Sequence, residues 1–132
     1  MISYNELLSG HVLSDVPIEY QHNLEDLKTR INVVREKRGI PMIVTSGFRS
    51  MQDHLRIYRS MGVPDDKIPM NSWHLKGAAV DISDPDGSLM QWCRDNVPLL
   101  EEVGLWIEDD TSVKRVHFQI FPPKSGNRFF KP

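Results

Sequence analysis

The sequence predicts a single α+β domain with a mainly antiparallel sheet and flanking helices. The chain has 132 residues, enough for one hydrophobic core and too few for two. Strand-like runs and helix-like patterns are both present, but they do not alternate as regular strand–helix–strand units, which argues against a parallel α/β sheet. No repeat, low-complexity tract or linker interrupts the chain, so residues 1–132 read as one domain.

Residues 1–22 are mixed, with Pro17 breaking any long element. From Asn23 to Lys37 the apolar residues Leu24, Leu27, Ile31 and Val34 recur at three and four, which predicts an amphipathic helix with Asn23 as N-cap and Gly39 as its stop. Residues 40–47, Ile-Pro-Met-Ile-Val-Thr-Ser-Gly, form a β-branched run ending at glycine and predict a strand. Met51 to Met61 reads as a second helix closed by Gly62 and Pro64, followed by a loop to Asn71. Ala78 to Ile82 is a short strand, and Asp84-Pro85-Asp86-Gly87 a turn. Ser88 to Glu102 reads as a third helix interrupted or kinked at Pro98. Leu105–Ile107 and Arg115–Phe121 are the last predicted strands, and the proline-bearing tail reads as irregular.

Composition excludes several function classes. Apolar residues make up 39% and charged residues 26% of the chain, with a net charge of −2. No global field therefore recruits nucleic acid or an anionic membrane. No apolar run is long enough to span a bilayer. Met1–Glu6 lacks a basic start followed by an apolar stretch, so no signal peptide is expected. Cys93 is the only cysteine; its apolar, helix-like setting predicts a buried, inert thiol.

The informative segment is Ser72-Trp73-His74-Leu75-Lys76-Gly77-Ala78-Ala79-Val80-Asp81, followed downstream by Val116-His117-Phe118-Gln119. Gly77 allows a tight turn after His74, and Ala79 is small enough for close backbone packing. Alternation turns Val80 and Ile82 toward the core and Asp81 to the other face. It does the same for Val116, Phe118 and Ile120 against His117 and Gln119. Two imidazoles and a carboxylate make a three-ligand zinc site with an open fourth position, the mark of a catalytic rather than a structural zinc. The ordinary alternatives are a structural strand histidine and an Asp81 that caps the following turn. Gln119 reads as a partner that orients His117 or as a substrate contact.

Ser72, His74, Gly77, Ala79 and Asp81 match the Ser-x-His-x-x-Gly-x-Ala-x-Asp pattern, so the chain resembles the zinc D-alanyl-D-alanine carboxypeptidases and their peptidoglycan endopeptidase relatives. That group shares its fold with hedgehog signalling domains. Ser46-Gly47-Phe48-Arg49-Ser50 is similar to its upstream Ser-Gly-Tyr-Arg-Ser element, and Val116-His117-Phe118 to its closing element. The Asp84–Gly87 and Gly104–Asp109 stretches resemble small phage-encoded members. The resemblance implies a hedgehog/DD-peptidase-like fold and a Zn2+ ion held by His74, Asp81 and His117. It also implies that Arg49 stabilises a developing oxyanion and that Ser72 contacts substrate, a local turn cap being the alternative for Ser72. The implied activity is hydrolysis of peptidoglycan stem peptides by a carboxypeptidase or endopeptidase, acting as a monomer from the cytoplasm or a phage particle.

Many relatives place a catalytic carboxylate three residues before the final histidine; this chain has Lys114 there, whose ammonium cannot act as a base. The nearest acids are Glu108, Asp109 and Asp110. Asp109 is the first expectation for the general base and Glu108 the second. If none reaches the metal, the chain is a non-catalytic zinc-binding module, or a phage structural protein without metal.

Overall fold

The computed structural model describes residues 1–132, and its organising element is one helix laid across a five-stranded sheet. Helix α1 (Tyr4–Leu8) and helix α2 (Ile18–Arg38) precede strand β1 (Val44–Ser46). Helix α3 (Met51–Ser60) and a 3-10 turn at Trp73–Lys76 lead into β2 (Ala79–Ser83). Helices α4 (Ser88–Asp95) and α5 (Val97–Val103) follow, then β3 (Trp106–Glu108), β4 (Arg115–Gln119) and β5 (Phe129–Phe130). No helix is long and apolar enough to cross a membrane.

The strand order is β1-β2-β4-β3-β5. Three pairings are antiparallel and β3–β5 is parallel, so the sheet is mixed. Connectivity explains the exception. Both sides of β4 are taken by β2 and β3, and the chain returning after β4 adds to the outer edge of β3, where it runs parallel. The tail expected to be irregular therefore closes the sheet: Ile107 N–H donates to Arg128 O at 2.8 Å and Asp109 N–H to Phe130 O at 2.7 Å.

One face of the sheet carries Val80, Ile82, Ile107, Val116 and Phe118, all fully buried. It packs in one cluster with Leu24, Leu27, Ile31 and Val34 of α2, Leu89 and Cys93 of α4, and Leu100 of α5. Burial pushes the Cys93 thiol up to about 12, which keeps it protonated and inert.

Helix α2 starts five residues before its expected cap. Pro17 fixes the entry, and its carbonyl accepts from the Tyr20 and Gln21 N–H groups at 2.9 and 3.0 Å. Asn23 lies inside the helix and donates its side-chain amide to Lys76 O at 3.0 Å, tying α2 to the turn that carries His74. Gly39 ends α2 in the left-handed region, with its N–H on Arg35 O. The expected long third helix divides into α4 and α5, and Pro98 stands in the first turn of α5, where its missing N–H costs nothing. The expected strand over residues 40–47 shortens to β1.

Helix α1 lies within the mixed N-terminal stretch. A reciprocal Ser3–Glu6 capping box holds its first turn, and Asn32 of α2 clasps both the N–H and the carbonyl of Ile2. The helix supports the loop after β1: Leu7 O accepts from Phe48 N–H at 2.7 Å, and Ser9 Oγ accepts from Gly47 N–H at 2.9 Å. A Cβ on Gly47 would sit 2.2 Å from Leu7 O. Gly47→Ala is therefore expected to lower unfolding stability by about 1–3 kcal/mol through overpacking against backbone that cannot yield, read as a lower urea midpoint at unchanged slope.

Candidate metal centre

His74 comes from the 3-10 turn, Asp81 from the middle of β2 and His117 from the middle of β4. Asp81 and His117 are register partners, so their side chains leave the same face of the sheet, opposite the core. Gly77, in the left-handed conformation at φ 69°, ends the 3-10 turn beside α2; a Cβ there would meet Tyr20 O at 2.8 Å. This close approach sets His74 over the strand pair.

The ligand atoms of His74, Asp81 and His117 lie within 4.8 Å of one another. His74 Nε2 is 3.2 Å, and His117 Nδ1 3.1 Å, from the same oxygen, Asp81 Oδ1. Ligands at zinc bond lengths of about 2.0–2.1 Å in a tetrahedron stand about 3.3 Å apart, which both imidazole–carboxylate distances match.

The outer hydrogen bonds decide which ring nitrogens face inward. His74 Nδ1 lies 2.8 Å from Gly47 O, a pure acceptor, so Nδ1 carries the proton and Nε2 presents a lone pair. Gln119 donates its amide N–H to Phe121 O at 2.8 Å, which turns Gln119 Oε1 toward His117 Nε2, also at 2.8 Å. His117 Nε2 is then the protonated nitrogen and Nδ1 presents a lone pair. Two neutral imidazole lone pairs and a carboxylate oxygen thus converge on one point. Such an arrangement of acceptors calls for a cation among them.

Electrostatics agree. Burial alone would raise the Asp81 pKa, but hydrogen bonding to His117 and His74 outweighs it and holds the carboxyl well below the ordinary range. Burial lowers the pKa of His74. For His117 burial acts in the same direction, but Asp81 overcomes it and the net pKa is raised. Asp81 Oδ2 faces two guanidinium groups, Arg49 at 3.5 Å and Arg115 at 3.3 Å. Burial depresses the Arg49 pKa while Asp81 raises it.

The centre opens into a cavity of about 90 Å³ lined by Arg49, Tyr58, Ser72, His74, Asp81, Glu108, Arg115 and His117. Ser72 Oγ accepts from His74 N–H at 3.3 Å, the turn cap that was the alternative for this residue, and Ser72 also borders the cavity. Gln119, 4% exposed, has its amide committed to His117 and Phe121, which makes it the residue that orients His117 rather than a free substrate contact.

The loop acids separate by strand parity. Glu108 is the register partner of His117 and borders the cavity. Asp109, the next residue, is drawn off by Arg94 at 2.7 Å and Lys131 at 3.2 Å. Asp110 accepts from the Ser112 backbone and hydroxyl. Glu108, the second expectation for a base, thus borders the cavity, whereas Asp109, the first, is engaged by cations away from it: β3 runs one residue further than expected, and that residue is the one across from His117.

Several other histidine and tryptophan side chains lie outside the metal cluster. His54 is fully buried, packs on Tyr58 at 4.8 Å between ring centroids and meets Pro69 O through Nε2 at 2.7 Å. His11 pairs with Asp53. Trp106 stacks under Arg128, while Trp73 stacks on Phe121 and reaches the rim of the groove beyond His117. Tyr58 and Arg115 had not been expected at the site. Arg115 was readable, since it stands two residues before His117 on an alternating strand. Tyr58 reaches the cavity through the placement of α3, which local pattern does not encode.

Comparison with protein-family models, with curated proteins and with solved structures returns no match.

Two measurements follow from the geometry. Gln119→Ala should weaken Zn2+ binding by about 10–100-fold, read by competition with a chromophoric chelator, whereas Asp81→Asn should abolish it. Because Asp81 raises the His117 pKa above its ordinary value, a proton must leave the ring before a metal can enter, so wild-type affinity should go on climbing as pH rises above the ordinary histidine value of about 6.5, with proton release on binding.

Proposed function

We propose that the protein is a zinc-dependent peptidase of the D-alanyl-D-alanine carboxypeptidase and peptidoglycan endopeptidase type, with a hedgehog/DD-peptidase-like fold. The observation that carries this reading is the convergence of His74 Nε2, Asp81 Oδ1 and His117 Nδ1 beside a cavity that also holds a carboxylate and a guanidinium. A purely structural zinc would be closed by a fourth protein ligand; here the fourth side faces Glu108 and Arg49 across open space. The sequence resemblance supplies the substrate class, peptidoglycan stem peptides.

His74, Asp81 and His117 would hold the ion, and Gly47 O and Gln119 fix the two rings that present it. Bound there, Zn2+ supplies Lewis acidity that polarises a carbonyl and acidifies water. Glu108 takes the proton from the attacking water on its carboxylate and returns it to the leaving amine. It is suited to this because the ion pairs of its hairpin fall on Asp109. Arg49 is 9% exposed and is held in place by Ser46 Oγ at 3.0 Å from Nε. Its Nη2 edge, 3.5 Å from Asp81, borders the cavity and meets negative charge growing on the carbonyl oxygen. Ser72, which also borders the cavity, positions the peptide.

The second reading, a zinc-binding module without activity, rests on Lys114 standing where many relatives carry their base. The two readings divide on one digestion of purified muropeptides followed by mass spectrometry. On the enzyme reading, Glu108→Gln lowers turnover about 10²–10⁴-fold, His117→Ala abolishes it and Asp109→Asn stays within a few-fold of wild type. If zinc-loaded wild type releases no product while binding one zinc per chain, the module reading holds instead. Equal turnover in Glu108→Gln and wild type would remove Glu108 from its role.

A further inference from the structure

The metal cavity does not end at the metal. Along Arg49, Tyr58, Asp81 and Arg115 it continues into a larger cavity of about 450 Å³ between α3 and the start of β4, a size within the roughly 300–1,000 Å³ common for ligand sites. We propose that this cavity is an anion subsite, in which Arg115 and Lys114 seat a carboxylate carried by the peptide next to the scissile bond. The proposal takes its orientation from the peptidase reading and rests on it to that extent.

Strand geometry places the cations. Arg115 precedes His117 by two residues on β4, so it leaves the same face about 6.6 Å along the strand, roughly one residue of an extended peptide away from the ligand. The Lys114 carbonyl accepts from Asp84 N–H at 2.9 Å, which anchors the backbone from which both side chains extend. Arg115 meets Asp81 Oδ2 through Nε at 3.3 Å. That contact orients the guanidinium and leaves its Nη edge for a planar carboxylate.

Charge gives the subsite its sign. Arg49, Lys114 and Arg115 line the cavity, and Asp81 is its only acid. Three cations against one carboxylate leave two positive charges in excess, and Asp81 Oδ1 is committed to the imidazoles. Asp110 and Asp84 lie across the outer side of Lys114 and Arg115, in a separate cavity. Asp110 is engaged by Ser112, and Asp84 accepts from the first N–H groups of α4. On the other side of the metal, the groove past Trp73, Asn71 and Gln119 has Glu108 as its only charged side chain. The groove is therefore cationic at one end only, so it distinguishes the two directions in which a peptide could lie. The α3 wall of the subsite, Ile57 and Met61, suits a small apolar side chain next to the carboxylate.

A carboxylate in that place is either the free C-terminus of the substrate or an acidic side chain within a longer chain. The test uses zinc-loaded protein and three peptides: an N-acetylated Lys-D-Ala-D-Ala with a free carboxylate, its C-terminal amide, and an amidated peptide in which the residue after the scissile bond is acidic. The free acid should be cleaved about tenfold or more better than its amide in kcat/KM. In the double variant K114Q/R115Q that ratio should fall toward one. Cleavage of the third peptide at the rate of the free acid assigns the charge to a side chain; cleavage at the rate of the amide assigns it to a terminal carboxylate. Acid and amide cleaved equally by wild type, with the acidic-side-chain peptide cleaved no better than either, would overturn the subsite and leave the peptidase reading intact.

A binding measurement separates the two failures. Metal-free wild-type protein is titrated with N-acetyl-D-alanine and with its amide, and backbone NMR shifts are followed. Shifts at Lys114 and Arg115 with the acid alone support the subsite even if no peptide is cleaved. Equal shifts with both, or none with either, overturn it.

Discussion

The site is organised around a carboxylate that the fold has taken out of water. Asp81 is 3% exposed, and a buried carboxylate is tolerated only when partners surround it. Those partners come from separate parts of the chain: Arg49 from the loop after β1, His74 from the 3-10 turn, and His117 and Arg115 from β4. Each segment is fixed in turn by contacts that touch no ligand. Helix α1 holds the loop at Gly47, Gly47 O holds the His74 ring, Asn23 of α2 holds the turn beneath it, and Gln119 holds His117. Much of the small N-terminal structure therefore serves to bring Arg49 and His74 to Asp81.

Sheet register is the other constraint. Ser46, Asp81, His117, Glu108 and Phe130 occupy one row across β1, β2, β4, β3 and β5. Neighbours in such a row share a face, so ligand pair, carboxylate and the Ser46 that steadies Arg49 are all set by the pairing of strands. Phe130 closes the row with its ring edge-on to His117 at 6.2 Å. A slip of one residue in β4 would send His117 into the core and Phe118 to the metal face. The core guards against this: Val116, Phe118 and Ile120 fill it on alternate positions, so the hydrophobic pattern that stabilises the sheet also fixes the ligand geometry.

Where a function depended on local pattern, the sequence was sufficient to read it. Alternation around Asp81 and His117 put both on the face away from the core, and the turn at Gly77 was visible as a glycine after a histidine. Helix α1 was also legible, because Ser3-x-x-Glu6 is a capping-box signature, but a five-residue helix has too little periodicity to draw attention to it. Choosing between Glu108 and Asp109 required knowing whether β3 ended at residue 107 or 108, which lies within the ordinary uncertainty of an element boundary. Parity then turns that single residue into a change of face. The parallel strand β5 had no local signal, since two phenylalanines carry no period; it is defined by its pairing with the outer edge of β3.

Lys114 illustrates how one substitution can be read twice. Taken alone, a lysine in place of a carboxylate three residues before His117 removes a base. In the folded chain, the position directly across from His117 on β3 is occupied by Glu108, closer in register to the ligand than any residue three steps along β4. On the proposed reading, the acid has moved one strand sideways, and the position it vacated is free to carry the opposite charge. Lys114 then joins Arg115 at the end of the groove farther from Glu108. Proton transfer and anion binding are thereby separated across the metal, which is the arrangement that spares Glu108 a neutralising ion pair. A carboxylate at 114 would have replaced one of the three cations of the cavity with a negative charge and discharged the subsite. The departure from the pattern and the charge of the larger cavity have the same origin.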